Sequence, residues 1–208
     1  MKETSLLEHN KTQYDFHTDL DFWRKHNERH QSDTVFNNQE IKLGDLLLKH
    51  PNTRSLAIDI GSGAGWLSSK LAEHFTKVIG IEPSDKAVGI AKELYKDIKN
   101  VEFIHGFSED IFPSIQLNDK PVLFVTCSVF QHLEDEYVSQ ILSWINTNAP
   151  SGSILSFQEL WGNDQHTEMH HVRTQEWWSK NLSEWSLHFH GPVVLPNTCK
   201  GIHGLKNT

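Results

Sequence analysis

Cysteine is scarce in this chain. Cys127 and Cys199 are the only two in 208 residues and form no CxxC pair, which removes a disulfide framework and a zinc ribbon from consideration. Reduced thiols in a cytoplasmic protein are the expectation. No apolar run approaches the roughly 20 residues of a membrane helix. The first residues, MKETSLLEHNK, lack the basic-then-apolar order of a signal peptide. Basic clusters are also missing: 19 Lys and Arg stand against 27 Asp and Glu, a formal charge of −8. That balance offers no footprint for a phosphate backbone and argues against a nucleic-acid partner. The 14 histidines limit the argument to neutral pH and above, because their full protonation would carry −8 to +6. Repeats, low-complexity tracts and Pro/Gly-rich linkers are absent as well, so one compact domain is expected, as a monomer or homodimer.

The chain does contain an alternation. Residues 55–60 (SLAIDI), 77–81 (KVIGI), 101–105 (VEFIH), 122–126 (VLFVT) and 153–157 (SILSF) are short β-branched or aromatic runs bounded by turn residues, and each reads as a strand. Helical stripes lie between them. Leu67, Leu71 and Phe75 follow i, i+4, i+8; Val88, Ala91 and Tyr95 follow i, i+3, i+7 behind Ser84 as N-cap; Val138, Ile141, Leu142 and Ile145 mark a third helix with Glu134, Asp135 and Glu136 near its start. Strands alternating with helices predict a doubly wound α/β sheet whose ligand crevice lies at the strand carboxyl ends. Residues 185–190 and 202–206 are joined by a loop too short for a crossover helix, so they are expected to pair antiparallel. Ahead of the first strand, residues 1–50 carry two predicted helices, 19–29 and 39–49. They are expected to form a helical cap on a core of residues 51–208.

The most specific segment is AIDIGSGAGWL, 57–67, in which a strand runs into Gly61, Gly63 and Gly65 and then into a helix. Glycines at that junction let the backbone turn sharply and approach a ligand. Asp59 stands at the exit of a strand that is otherwise apolar, where a carboxylate is costly unless a cation or hydrogen-bond donors meet it. Glu82 follows the next strand at the spacing expected for a ribose-binding acid, about 20 residues after the first glycine. A dinucleotide-binding GxGxxG loop would need glycine where Trp66 stands, and it has no equivalent use for Asp59.

Through Asp59-x-Gly61-x-Gly63-x-Gly65, Glu82 in GIEPS, GFSED after the third strand and TCSVFQHL after the fourth, the chain resembles the class I S-adenosylmethionine-dependent methyltransferases over roughly residues 40 to 206. The resemblance implies a seven-stranded, mostly parallel sheet in the order 3-2-1-4-5-7-6 with the seventh strand antiparallel. It implies S-adenosylmethionine as methyl donor and S-adenosylhomocysteine as product. Gly61, Ser62, Gly63 and Gly65 would line the cofactor, Asp59 its methionine end, and Glu82, followed by Pro83, its ribose. Ser108 and Glu109 would lie along the adenine, with Phe107 replacing the acid often found at its edge. Cys127 and Ser128 would sit beside the methionine portion.

The acceptor side is read from segments after strands four and five and from the N-terminal region. His132 is a candidate general base and Glu159 a second catalytic candidate, since an acceptor hydroxyl or protonated amine must lose a proton. Tyr14, His17 and Trp23, within an aromatic cluster that includes Phe16 and Phe22, are candidate acceptor contacts, as are Trp161, His171 and Arg173. His166 and His170 stand at i, i+4, but with no assignable third ligand a hydrated loop is the expected reading and no metal is assigned. Trp177, Trp178 and Trp185 are expected to pack. TCSV stands where an Asn-Pro-Pro-Tyr type sequence marks base or glutamine N-methylation, so the expected acceptor is a small metabolite or sugar-like molecule, methylated on oxygen or nitrogen. The alternatives are an NAD(P)-dependent oxidoreductase and a non-catalytic S-adenosylmethionine-binding protein.

Overall fold

The computed structural model describes residues 47–162, 165–166, 170–191 and 200–207, with the backbone alone at 165, 166 and 200. Five parallel strands form first: β1 (Leu56–Ile60), β2 (Lys77–Glu82), β3 (Val101–His105), β4 (Val122–Cys127) and β5 (Ile154–Glu159). A two-residue hairpin follows, β6 (Gln165–His166) with β7 (His171–Val172), and then the long antiparallel pair β8 (Trp185–His190) and β9 (Lys200–Lys206). The main sheet has the order β3-β2-β1-β4-β5-β9-β8. β9 lies antiparallel to both its neighbours, so the last strand of the chain is inserted between β5 and β8. This is the seven-stranded order that the resemblance implies, with the antiparallel ending expected from the short loop before the last strand.

Alternation along each strand sends side chains to two cores. One face buries Ile58, Ile60, Ile79, Ile81, Phe124, Leu155 and Phe157 beneath α4 (Asp135–Asn148) and α5 (Gln175–Asn181). The other buries Ala57, Val78, Leu123, Val125 and Ile154 with Leu71 and Phe75. Each fully buried aliphatic side chain contributes about 1.5–3 kcal/mol by leaving water. In α4, Val138, Ile141, Leu142 and Ile145 are all buried, as their spacing requires, and Asp135 and Glu136 occupy the first turn. α2 (Asp85–Leu94) starts on Ser84, whose hydroxyl accepts from the Ala87 N–H at 3.3 Å. α1 (Trp66–Leu71) is shorter than its apolar stripe: Phe75 keeps the rhythm and is buried, but it follows the end of the helix.

The predicted cap and its aromatic cluster, Tyr14, His17 and Trp23 included, lie outside the described residues, apart from a helical stretch at 47–49. Among the described residues no helix is long and apolar enough to cross a membrane.

Candidate functional site

Because β1 to β5 run parallel, their carboxyl ends lie along one edge of the sheet, and that edge gathers the candidate residues. Gly61 follows β1, Glu82 ends β2, Ser108 opens the short α3 (Ser108–Ile111) after β3, Cys127 ends β4 and Glu159 ends β5. Gly61, Gly63 and Gly65 have φ of 71°, 53° and 82°, the left-handed region glycine enters without penalty. Space is as demanding as conformation. A Cβ on Gly61 would stand 2.5 Å from Val129 Cγ2, and one on Gly65 would stand 2.5 Å from Phe103 Cζ. The loop is pinned to β2 by the N–H groups of Gly61 and Ser62, which donate to the Ile81 carbonyl at 2.8 and 3.0 Å.

Asp59 and Glu82 share one face of the sheet. Asp59 pairs with Gly80, and Glu82 is two residues further on, so both carboxyls project to the same side on adjacent strands. Asp59 is 1% exposed and Glu82 6%. Ser68 Oγ on α1 donates to Asp59 Oδ2 at 2.6 Å. Glu82 Oε2 accepts from the Gly63 N–H at 2.9 Å and Oε1 from the Ser84 N–H at 3.0 Å, so this carboxylate bridges the glycine loop and the start of α2. Burial pushes Asp59 up to about 7; the negative charge of Glu82 adds to that rise and the Ser68 hydroxyl opposes it. Burial also raises Glu82, against the two backbone N–H groups and the positive pull of His105.

Ser62 Oγ is buried in the same loop with no hydrogen-bond partner among the described residues. Paired anionic groups, an orphaned hydroxyl and a backbone bend too tight for any side chain fit a ligand that brings a cation and hydroxyl donors, as the methionine and ribose ends of S-adenosylmethionine do. Ser108 is buried and Glu109 half-buried, its carboxyl raised by burial, at the start of α3. Trp66 is buried as the first residue of α1.

After β4 the chain makes a strained turn. Ser128 has φ of 59°, unusual for a residue with a side chain, and its N–H donates to the Gln158 carbonyl at 2.8 Å. A 3-10 turn, Phe130–His132, follows. The His132 ring lies 5.0 Å from the His170 ring, centroid to centroid. His171 is half-buried in β7. Since Gln165–His166 pairs with His171–Val172 as a hairpin, the i, i+4 spacing of His166 and His170 does not place them on one helix face.

Three acceptor-side candidates are committed to the scaffold. Glu159 is fully buried; Oε1 accepts from the Val129 N–H at 3.1 Å and Oε2 from the Gln131 N–H at 3.2 Å, and burial holds its carboxyl above the usual range. Trp161, 2% exposed, meets Phe189 edge-on at 5.2 Å. Arg173, also 2% exposed, reaches Asp135 Oδ1 at 2.8 Å and the carbonyls of Phe130 and Leu133 at 2.6 and 2.5 Å. Its guanidinium is thus engaged by protein groups. Sequence reasoning missed Ser68 and Gln131. Ser68 carries a weak signal, a polar residue beside the buried stripe of α1.

Residues 57–149 match the family model described as a methyltransferase domain. Over 58 residues, 28% of this chain and 20% of the relative, the sequence is 43% identical to a methyltransferase of Dictyostelium discoideum, so the chain spans about a fifth of that relative's length. Among solved structures, the amino pentose methyltransferase CalS10 of Micromonospora echinaspora, with bound S-adenosylmethionine, superposes with a TM-score of 0.68 at 9% identity, covering 88% of this chain and 96% of that one. The magnesium protoporphyrin IX methyltransferase of Synechocystis PCC 6803, also with the cofactor bound, gives 0.61 at 21% identity over 86% and 84%. At these identities the structures speak for the fold, and the family model speaks for the segment that carries Asp59, the glycine loop and Glu82. Residues 57–149 thus match a methyltransferase domain, and the chain shares its fold with methyltransferases solved with S-adenosylmethionine bound.

Proposed function

We propose that the protein transfers a methyl group from S-adenosylmethionine to an oxygen or nitrogen of a small-molecule acceptor. The observation that carries this reading is the pair of buried carboxyls, Asp59 and Glu82, on one face beneath a glycine loop. Bound S-adenosylmethionine supplies a methyl already activated by its sulfonium charge. The chain's own task is then to grip, align and keep water away. Asp59 would take the ammonium of the methionine end, and Glu82 would offer its remaining lone pairs to the ribose hydroxyls while keeping Gly63 and Ser84 in place. Ser62 Oγ would gain the partner it lacks. Ser108 and Glu109 would flank the adenine, and Cys127 and Ser128 the methionine portion.

His132 would remove the acceptor's proton: an imidazole on the turn after β4 stands where an acceptor beside the methionine portion would arrive. A small acceptor accords with the sugar and porphyrin acceptors named for the two superposed structures.

Titration calorimetry tests the reading directly. The wild-type chain should bind S-adenosylhomocysteine and leave NADH unbound. Asp59→Ala and Glu82→Ala should each weaken binding about tenfold or more, the loss of one charged hydrogen-bond partner. His132→Ala should bind normally and slow transfer. Unchanged affinity in both acid variants, or preferential binding of NADH, would overturn the assignment.

A further inference from the structure

The 3-10 turn after β4 is too short to satisfy its own backbone. Within it only His132 N–H to Val129 O, at 2.9 Å, and Leu133 N–H to Phe130 O, at 3.2 Å, close locally. Two buried side chains of opposite sign bind further groups of the turn. Glu159 accepts from the N–H groups of Val129 and Gln131, while Arg173 donates to the carbonyls of Phe130 and Leu133. The arrangement follows the polarity of the turn, with an anion at its N–H end and a cation at its carbonyl end. Gln131 closes the bracket, its Oε1 accepting from the Leu160 N–H at 3.0 Å.

Arg173 also reaches β7, since its Nη1 lies 3.4 Å from the carbonyl of His171, next in sequence to the His170 whose ring meets His132. Asp135 holds the guanidinium from outside, its other oxygen accepting from Trp177 Nε1 at 3.1 Å, and the guanidinium carbon lies 4.9 Å above the Trp177 ring.

We infer that Glu159 and Arg173 are positioning residues: gripping the turn from its N–H and carbonyl sides, they hold His132, with His170 against it, on the acceptor side of the crevice. The identity of that side rests on the methyltransferase reading above; the grip on the turn does not. Two ions are buried here at the cost of their hydration, and what they secure is the shape of one turn rather than a hydrophobic contact. Isosteric change is enough to disturb it. In Glu159→Gln one oxygen becomes an NH2 and is turned against a backbone N–H, and in Arg173→Lys a fork that serves four oxygens becomes a single point.

The test follows the imidazoles by NMR in the full chain. In Glu159→Gln and in Arg173→Lys the His132 and His170 resonances should shift and broaden and their titration midpoints move, while His105, at the end of β3, keeps its wild-type curve. S-adenosylhomocysteine affinity should stay within about threefold, and once an acceptor is in hand kcat should fall on the order of 100-fold with KM for the donor little changed, as a displaced reacting group requires. Should one variant fail to fold, Asp135→Ala, which removes the exposed carboxylate that holds the Arg173 guanidinium and the Trp177 indole, gives the same reading in smaller measure. Wild-type His132 and His170 curves in the folded variants, even with stability lost, would overturn the inference. Failure of the wild-type chain to bind S-adenosylhomocysteine would instead overturn the methyltransferase reading and leave the imidazole comparison intact.

Discussion

On the proposed reading, Asp59 is the residue in which cofactor binding and stability are set against each other. Its carboxyl titrates at 3.8 in an unfolded chain and at about 7 in the folded one. Between those values the folded state holds a proton that the unfolded state has released, so stability falls as pH rises through that window and levels off above it. The ceiling on the loss is about 4 kcal/mol, at 1.36 kcal/mol per pH unit. Asp59→Asn can still accept from Ser68 but has no proton to lose. It should therefore flatten the slope and be the more stable protein at pH 8, while binding S-adenosylhomocysteine more weakly. Urea unfolding at pH 5 and pH 8 reads this, and an unaltered slope in the variant would refute it. Both acids were legible in the sequence because a carboxyl inside or at the exit of an apolar run is conspicuous. Ser68 and Gln131 were not, since what they do depends on groups across the sheet.

At the scale of the element, the strands were legible because each is a short apolar run, and α2 and α4 because stripe and N-terminal signal agree. The extent of α1 was misjudged at Phe75, where a turn supplies the buried side chain that periodicity assigned to a helix. The β6–β7 hairpin was missed because QHTEMHHV has no alternation of apolar and polar residues to announce a strand. The start of α2 offers a clean test. Ser84 serves twice, its hydroxyl capping the helix and its N–H bonding Glu82. Ser84→Ala removes only the first and should cost about 1 kcal/mol in chemical denaturation. Affinity for S-adenosylhomocysteine should hold, because the N–H remains.

For the molecule as a whole, a ligand seated on the strand tips of β1, β2 and β4 should stabilise the entire domain. At 100 times its Kd, S-adenosylhomocysteine should add about 2.7 kcal/mol, which for a chain of this size raises Tm by roughly 5 to 10 °C; NADH at the same concentration should leave the melt unmoved. The sheet order was legible from the family resemblance together with the short loop before the last strand, whereas the acceptor side was not, because its segments are polar and their partners lie far away in sequence. The position of β9 also bears on the order of assembly. Synthesis delivers residues 200–206 after every other strand of the sheet, yet they belong inside it, between β5 and β8. Until they emerge from the ribosome β5 keeps an open edge and β8 has no neighbour to join, so the nascent chain must wait, with a sticky flank, for its final strand to wedge the two together.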